Sequence, residues 1–187
     1  MLGQRKTAKS IHHTLKRLIL ALVVLSTSGL AHAQEAMPEA RNEIKLNGFY
    51  TLVGIPEFSY ERILDEETSV GISAAVSIES DLQWQWGITP YYRWFFSKKA
   101  GEGLFIEGHA NVFESEYDYY WGVPSWPDTG PFKEIGAGGG FALGYKMTSS
   151  GGWVGELYAG AGRNFLADRA ERAYPRLGFI IGRRFGS

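Results

Sequence analysis

Between residues 82 and 97 the side chains sort onto two faces of an extended chain. Leu82, Trp84, Trp86, Ile88, Tyr92, Trp94 and Phe96 share one face, and Gln83, Gln85, Gly87, Thr89, Tyr91 and Arg93 share the other. A period of two belongs to a β-strand and not to a helix. A soluble sheet hides such a tryptophan-rich face in its core, whereas a transmembrane barrel turns it toward lipid. The alternation recurs along the chain in segments 43–54, 56–64, 69–78, 82–97, 103–114, 133–146, 152–165 and 173–185. Most reach the roughly 9–11 residues that a tilted strand needs to cross a bilayer. No stretch beyond Gln34 sustains a helical hydrophobic period.

The last segment sharpens this reading. Leu177, Phe179, Ile181 and Phe185 fall on one face, and Arg176, Gly178, Gly182 and Arg184 on the other, with Ile180. An apolar outer face that ends on an aromatic suits the closing strand of an outer-membrane barrel.

The N-terminal region points to export. Arg5, Lys6, Lys9, Lys16 and Arg17 form a basic stretch, followed by an apolar run over 18–25 that is too short to span a bilayer. Ala31-His32-Ala33 is a small-x-small cleavage site, so residues 1–33 are expected to be a secretory signal and Gln34 the first mature residue. Residues 34–42 would be a short lead, and residues 43–187 the barrel. The expected fold is therefore all-β, an eight-stranded antiparallel up-and-down transmembrane β-barrel in the bacterial outer membrane.

Composition narrows the function classes. The chain has no cysteine, which rules out lipoprotein anchoring and disulfides. Five of the nineteen basic residues and none of the twenty acidic ones precede Gln34. The remainder carries fourteen basic against twenty acidic residues, formally −6, the wrong balance for a nucleic-acid partner.

Topology follows from connection lengths. The 65–68, 98–102 and 147–151 connections are short and suit the periplasmic side, while the 115–131 connection is the one long outer loop. The first outer connection, near Ile55, is expected to be almost absent.

Several motifs carry a family likeness: Asn47 with Ile44-Lys45-Leu46, Phe58-Ser59-Tyr60-Glu61-Arg62, Tyr91-Tyr92-Arg93, Gly103-Leu104-Phe105-Ile106-Glu107, Gly144-Tyr145-Lys146, Gly160-Ala161-Gly162-Arg163-Asn164 and Tyr174-Pro175-Arg176. In order and spacing they resemble a family of small uncharacterised outer-membrane β-barrels, a domain of unknown function common in Bacteroidetes-type bacteria. The resemblance covers the whole mature chain. It implies an architecture similar to the transmembrane barrel of outer membrane protein A, and it implies no activity and no functional residues.

The alternation turns Lys45, Glu61, Arg93, Glu107, His109, Glu156, Arg176 and Arg184 inward. Small inner residues on the third strand (Gly71, Ser73, Ala75, Ser77) and the sixth (Gly136, Gly138, Gly140, Ala142, Gly144) leave room for them. An eight-stranded lumen is just wide enough for side chains to fill, so a plugged interior is expected in preference to a narrow pore. Folding the 98–102 turn so that apolar faces stay outward sets Arg93 opposite Glu107. Arg93 should then be the hub of an ionic cluster with Glu107 and with Glu61 or Glu156. Excess carboxylate in that layer would draw in Lys45 or leave one acid protonated.

Other chemistry is weaker. Gly136-Ala137-Gly138-Gly139-Gly140 lacks the Lys-Ser or Lys-Thr of a phosphate loop. His109 is the one histidine beyond residue 33, so a histidine-based metal site has no second ligand of its kind. A lipid-modifying enzyme of the lipid A deacylase type needs a His–Ser–acid set, and the residue two beyond His109 is Asn111. A non-enzymatic role without cofactor or metal is expected, structural or surface-binding. Tyr117, Tyr119, Tyr120, Trp121 and Trp126 in the 115–131 loop are the candidate surface for a glycan or protein ligand, or else an interfacial aromatic girdle. Expected partners are outer-membrane lipid, lipopolysaccharide and the barrel-assembly machinery, with the protein a monomer.

Overall fold

The structure, a computed structural model, describes residues 40–79, 82–97, 99–117, 132–166 and 172–186. The expected signal, residues 34–39 of the lead, and the loop residues Tyr119, Tyr120, Trp121 and Trp126 lie outside the described residues, as does the Tyr117 side chain. Eight strands follow one another: β1 (Asn42–Asn47), β2 (Glu57–Ile63), β3 (Thr68–Val76), β4 (Trp84–Phe95), β5 (Gly103–Tyr117), β6 (Phe132–Thr148), β7 (Trp153–Asn164) and β8 (Ala173–Phe185). Each pairs antiparallel with the next, and β1 closes on β8. The protein is thus an all-β, eight-stranded up-and-down barrel.

Its radial order is inverted relative to a water-soluble domain. Phe141 is 70% exposed and Leu157 66%, while Arg93 is 1% and Glu61 and Lys146 are 0%. Strand periodicity produces this, because residues two apart share a face and hydrophobic and charged residues occupy opposite parities. Inside, Phe95, Phe105, Ala142, Tyr158 and Ile180 form one apolar cluster.

Four sequence expectations need correction. The first segment does not run extended over 43–54. β1 stops at Asn47, and a short helix, α1 (Gly48–Leu52), follows. Asn47 supplies the reason: its side chain accepts from the Tyr50 amide at 3.4 Å and its carbonyl accepts from the Thr51 hydroxyl at 2.7 Å, so it works as a helix cap. Gly54, at φ +88°, then turns the chain toward β2, so the first connection is a capped helical turn.

A second correction concerns Trp84. The β4–β5 register shifts between Trp84, opposite Ser115, and Trp86, opposite Glu114. This bulge inserts Gln85 and turns Trp84 inward, where its ring lies against Gly87. Gln83 and Gln85, expected inside, are not on the inner face: Gln83 is exposed and Gln85 donates to the Leu82 carbonyl at 2.9 Å. The other β4 residues of the outer face, Ile88, Tyr92 and Trp94, are exposed, and Trp94 stacks on Phe96.

Third, the hairpin of β5 and β6 is taller than its expected 103–114 and 133–146 segments. β5 extends to Tyr117, so the long connection starts after it, and Ser115 is a buried inner residue of the barrel wall. β6 extends to Thr148. Fourth, β3 and β4 end short of the expected 69–78 and 82–97, at Val76 and from Trp84 to Phe95.

Candidate functional site in the barrel lumen

Register places the inner charges. Arg93 on β4 lies opposite Glu107 on β5, Lys146 on β6 opposite Glu156 on β7, and Glu43 on β1 opposite both Glu61 on β2 and Arg184 on β8. All are buried except the part-buried Arg184, so each ion needs partners close at hand.

Arg93 has three. Its Nη1 reaches Glu61 at 2.8 Å and Glu156 at 2.9 Å, and its Nε and Nη2 each lie 2.8 Å from Glu107. The guanidinium sits between rings, 4.4 Å from the Phe105 centroid and 4.6 Å from that of Tyr91. Gly71 makes space for the Tyr91 ring, since a Cβ there would come 2.3 Å from it. Tyr91 also donates to Glu61 at 3.1 Å.

Below Arg93, toward the short turns, two ammonium groups complete the carboxylates. Lys45 bonds Glu156 at 2.7 Å and also bonds Glu61. Lys146 bonds Glu61 at 2.5 Å and Glu43 at 2.9 Å. Arg184 then holds Glu43 at 2.8 Å and donates to the carbonyls of Ala100 and Gly101, which seals that end. Above Arg93, Arg176 bridges Glu107 at 3.0 Å and Glu57 at 2.7 Å. Glu57 also accepts from Asn47 at 2.7 Å and Ser73 at 2.6 Å.

Five cations therefore meet five carboxylates in one network: Lys45, Arg93, Lys146, Arg176 and Arg184 against Glu43, Glu57, Glu61, Glu107 and Glu156. The excess carboxylate of the Arg93 layer draws in Lys45, as expected, and Lys146 and Arg176 also bond its acids. Ligand atoms of Glu43, Glu61 and Glu156 lie within 4.8 Å of one another, a spacing that suits a cation. The Lys45 and Lys146 ammonium groups already take that place, so this donor set does not fit a metal.

Arg93, Glu107, Glu61, Glu156 and Lys45, singled out from sequence, are brought together. Lys146, Glu43 and Glu57 were missed, although each keeps the parity of an inward neighbour: Gly144 for Lys146, Lys45 for Glu43, Glu61 for Glu57. His109 is buried beside Tyr174, its Nδ1 3.7 Å from Glu107. Neither ring nitrogen has a hydrogen-bond partner among the described residues, a serine hydroxyl included.

The upper lumen differs. Above the Arg176–Glu57 pair lies a cavity of about 200 Å³, bounded by Tyr50, Trp84, Phe113 and Tyr174 and by Thr89 and Asn111. α1 folds over its rim, with the Tyr50 hydroxyl donating to the Pro175 carbonyl at 3.2 Å.

Residues 18–177 match the family described as "Protein of unknown function (DUF3575)". The chain belongs to this family. The match takes in β1 to β7 and the first five residues of β8. No curated protein and no solved structure gives a significant match to the chain. The family description carries no activity, so the functional reading rests on the barrel and its lumen.

Proposed function

We propose that this protein is a non-enzymatic structural barrel of the bacterial outer membrane, a monomer whose lumen is sealed against ions. The observation that carries the reading is the inverted radial order: a mutually satisfied ten-charge interior inside an apolar wall. A water-facing barrel would gain nothing from exposing Phe58, Leu104, Phe141 and Leu157 together, whereas lipid is their natural solvent. The basic and apolar segments ahead of Gln34 support export, and the barrel-assembly machinery would insert the product. Lipid and lipopolysaccharide are then its main contacts.

Residues 34–187 refolded in detergent should give a heat-modifiable, β-rich species, and planar bilayers holding it should show no unitary conductance. A water-soluble monomer would overturn the membrane reading, and stepwise currents would overturn the seal. Ile88→Arg, which sets a charge on the outer face of β4, should cost about 2–4 kcal/mol in urea unfolding from micelles. A neutral effect would mean that this face does not meet lipid.

A surface-binding role is the second reading, favoured by the mixture of aromatics and acids in 115–131, with Tyr117, Tyr119, Tyr120, Trp121 and Trp126 as the contact residues. Glycan or protein capture by the full chain, lost when 118–131 is replaced by a short Gly-Ser link, tests it.

A further inference from the structure

β1 is too short to close the whole height of the wall. It ends at Asn47, opposite Ile180, whereas β8 begins at Ala173, so the Ala173–Phe179 half of β8 has no strand on its β1 side. α1 lies there instead, held to β8 by side chains. Asn47 Nδ2 donates to the Leu177 carbonyl at 3.0 Å. The Tyr50 hydroxyl donates to the Pro175 carbonyl at 3.2 Å and accepts from the Leu177 amide at 3.4 Å. Residues two apart in a strand present their backbone groups to the same side, so Pro175 shares this edge with Leu177. Proline has no N–H, so no donor is stranded at that point. Both features suit an edge that no strand completes.

This closure is light. No residue of α1 is buried, and side-chain hydrogen bonds stand where a strand would add a backbone ladder. Apolar surface lies on both sides of it. Inside, Tyr50 lines the cavity of about 200 Å³. Outside, Phe49 borders an apolar hollow of the outer wall with Leu143, Leu157, Leu177 and Phe179. Consecutive residues of α1 thus meet the lumen and the lipid-facing side.

The cavity selects by what it leaves available. Its polar side chains engage one another: Glu57 bonds Arg176, Asn47 and Ser73, Arg176 also bonds Glu107, and Asn111 bonds Thr89. The unpartnered Asn111 Oδ1 and Tyr174 hydroxyl are buried in the wall, the hydroxyl against Gly162. What remains toward the space is mostly carbon, from Ile55, Ala75, Trp84, Phe113, Tyr174 and Pro175.

We propose that this cavity binds one small uncharged hydrocarbon group, of about six to ten carbons, that enters sideways from the lipid past α1. The route rests on the membrane reading above, and the ligand rests on the cavity. An engineered apolar cavity of ~150 Å³ holds benzene, so about 200 Å³ accepts a slightly larger guest. Such molecules concentrate in lipid, and a sideways path spares them water. A charged or hydroxyl-rich ligand finds no free partner here. The Arg176–Glu57 pair forms the floor, so the guest stops above the plug and the seal against ions is untouched. The group is either a free hydrocarbon dissolved in the membrane or the end of a lipid acyl chain.

Methyl NMR of the full barrel in chain-deuterated dodecylphosphocholine tests the proposal, with toluene as the probe. The toluene ring protons should give intermolecular cross-peaks to the Ala75 and Ile55 methyls and none to the methyl of Ala142, which is buried in the apolar cluster farther down. Chain-protonated detergent without toluene separates the sources: cross-peaks from its terminal methyl name an acyl chain, and their absence names the free hydrocarbon. Ala75→Phe, which fills the cavity, should abolish the Ile55 cross-peak; if it does not fold, the smaller Thr89→Leu should weaken it. Tyr50→Phe removes both hydroxyl bonds to β8 and should speed toluene exchange by about fivefold or more, with the heat-modifiable band unchanged. The site is overturned if toluene contacts neither methyl, or contacts Ala142 equally. The route is overturned if folded Tyr50→Phe exchanges toluene at the wild-type rate. A chain that is monomeric in water without detergent would instead defeat the membrane reading, and toluene contacts in plain buffer would then decide the cavity alone.

Discussion

The two halves of the lumen are lined by the same strands and obey the same alternation, yet they are opposite in kind. In the lower half, long charged side chains from β1, β2, β4, β5, β6, β7 and β8 pair with one another across the lumen. In the upper half, shorter polar side chains and aromatic plates leave a cavity and several unpaired atoms. A barrel wall alone dictates neither outcome. Stability is concentrated in the half where the charged groups answer one another.

Substitutions can break or sharpen this contrast. The largest effect is expected at the hub of the plug. Arg93→Ala leaves Glu61, Glu107 and Glu156 each short of a partner, and it should cost about 3–5 kcal/mol by urea unfolding in micelles, more than truncating any one of those acids. A cost below that of Glu107→Gln would mean that the network has no centre. In the upper half, Gly162→Ala should cost about 1–3 kcal/mol by forcing the Tyr174 ring off the wall, with a change in the near-ultraviolet dichroism of the tyrosines. Smaller still is Asn111→Leu, which loses the bond to Thr89 but also removes an unpaired carbonyl. It should stay within about 1 kcal/mol of wild type, and a cost like that of Arg93→Ala would erase the distinction between the halves.

The smallest effect belongs to the exposed turn that closes the plugged end. The Asp65 carboxyl accepts from the Thr68 hydroxyl and from the Glu67 and Thr68 amides, which holds its pKa below the ordinary aspartate value. A depressed folded pKa contributes stability above the unfolded value and loses it as pH falls through the folded one. Wild type should therefore lose slightly more stability than Asp65→Asn on acidification below about pH 4, where unfolded aspartate titrates.

Much of the lower half was legible in the sequence, because parity and short turns leave little freedom. Once 98–102 is a tight connection, Arg93 and Glu107 must face each other inside. What parity does not report is reach. Whether Lys146 extends to Glu43 across the lumen depends on how far the strands are staggered around the wall, and no local pattern carries that. Lys146 is inconspicuous for a simpler reason: it stands at the end of the alternating 133–146 segment, after a run of glycines. The upper half was harder to read. Asn47 ends β1 through a cap that resembles any strand asparagine, and the bulge at Gln85 reverses Trp84 without a compositional mark. A slip of one residue changes a face, so a bulge is invisible to a method that counts by twos.

The ion network has a consequence for how the wall is assembled. Its bonds join residues far apart in the chain: Lys45 to Glu156 across 111 positions, Lys146 to Glu43 across 103, Arg184 to Glu43 across 141. These three need β1 beside the last strands, so an incomplete sheet makes only its local pairs, such as Arg93–Glu107 and Lys45–Glu61, and must keep the other charges hydrated. Zipping the last seam expels that water and pairs the ions in one event. Closure of the barrel is thus a single late commitment, slow to reach because its contacts are non-local and hard to reverse by peeling one strand at a time.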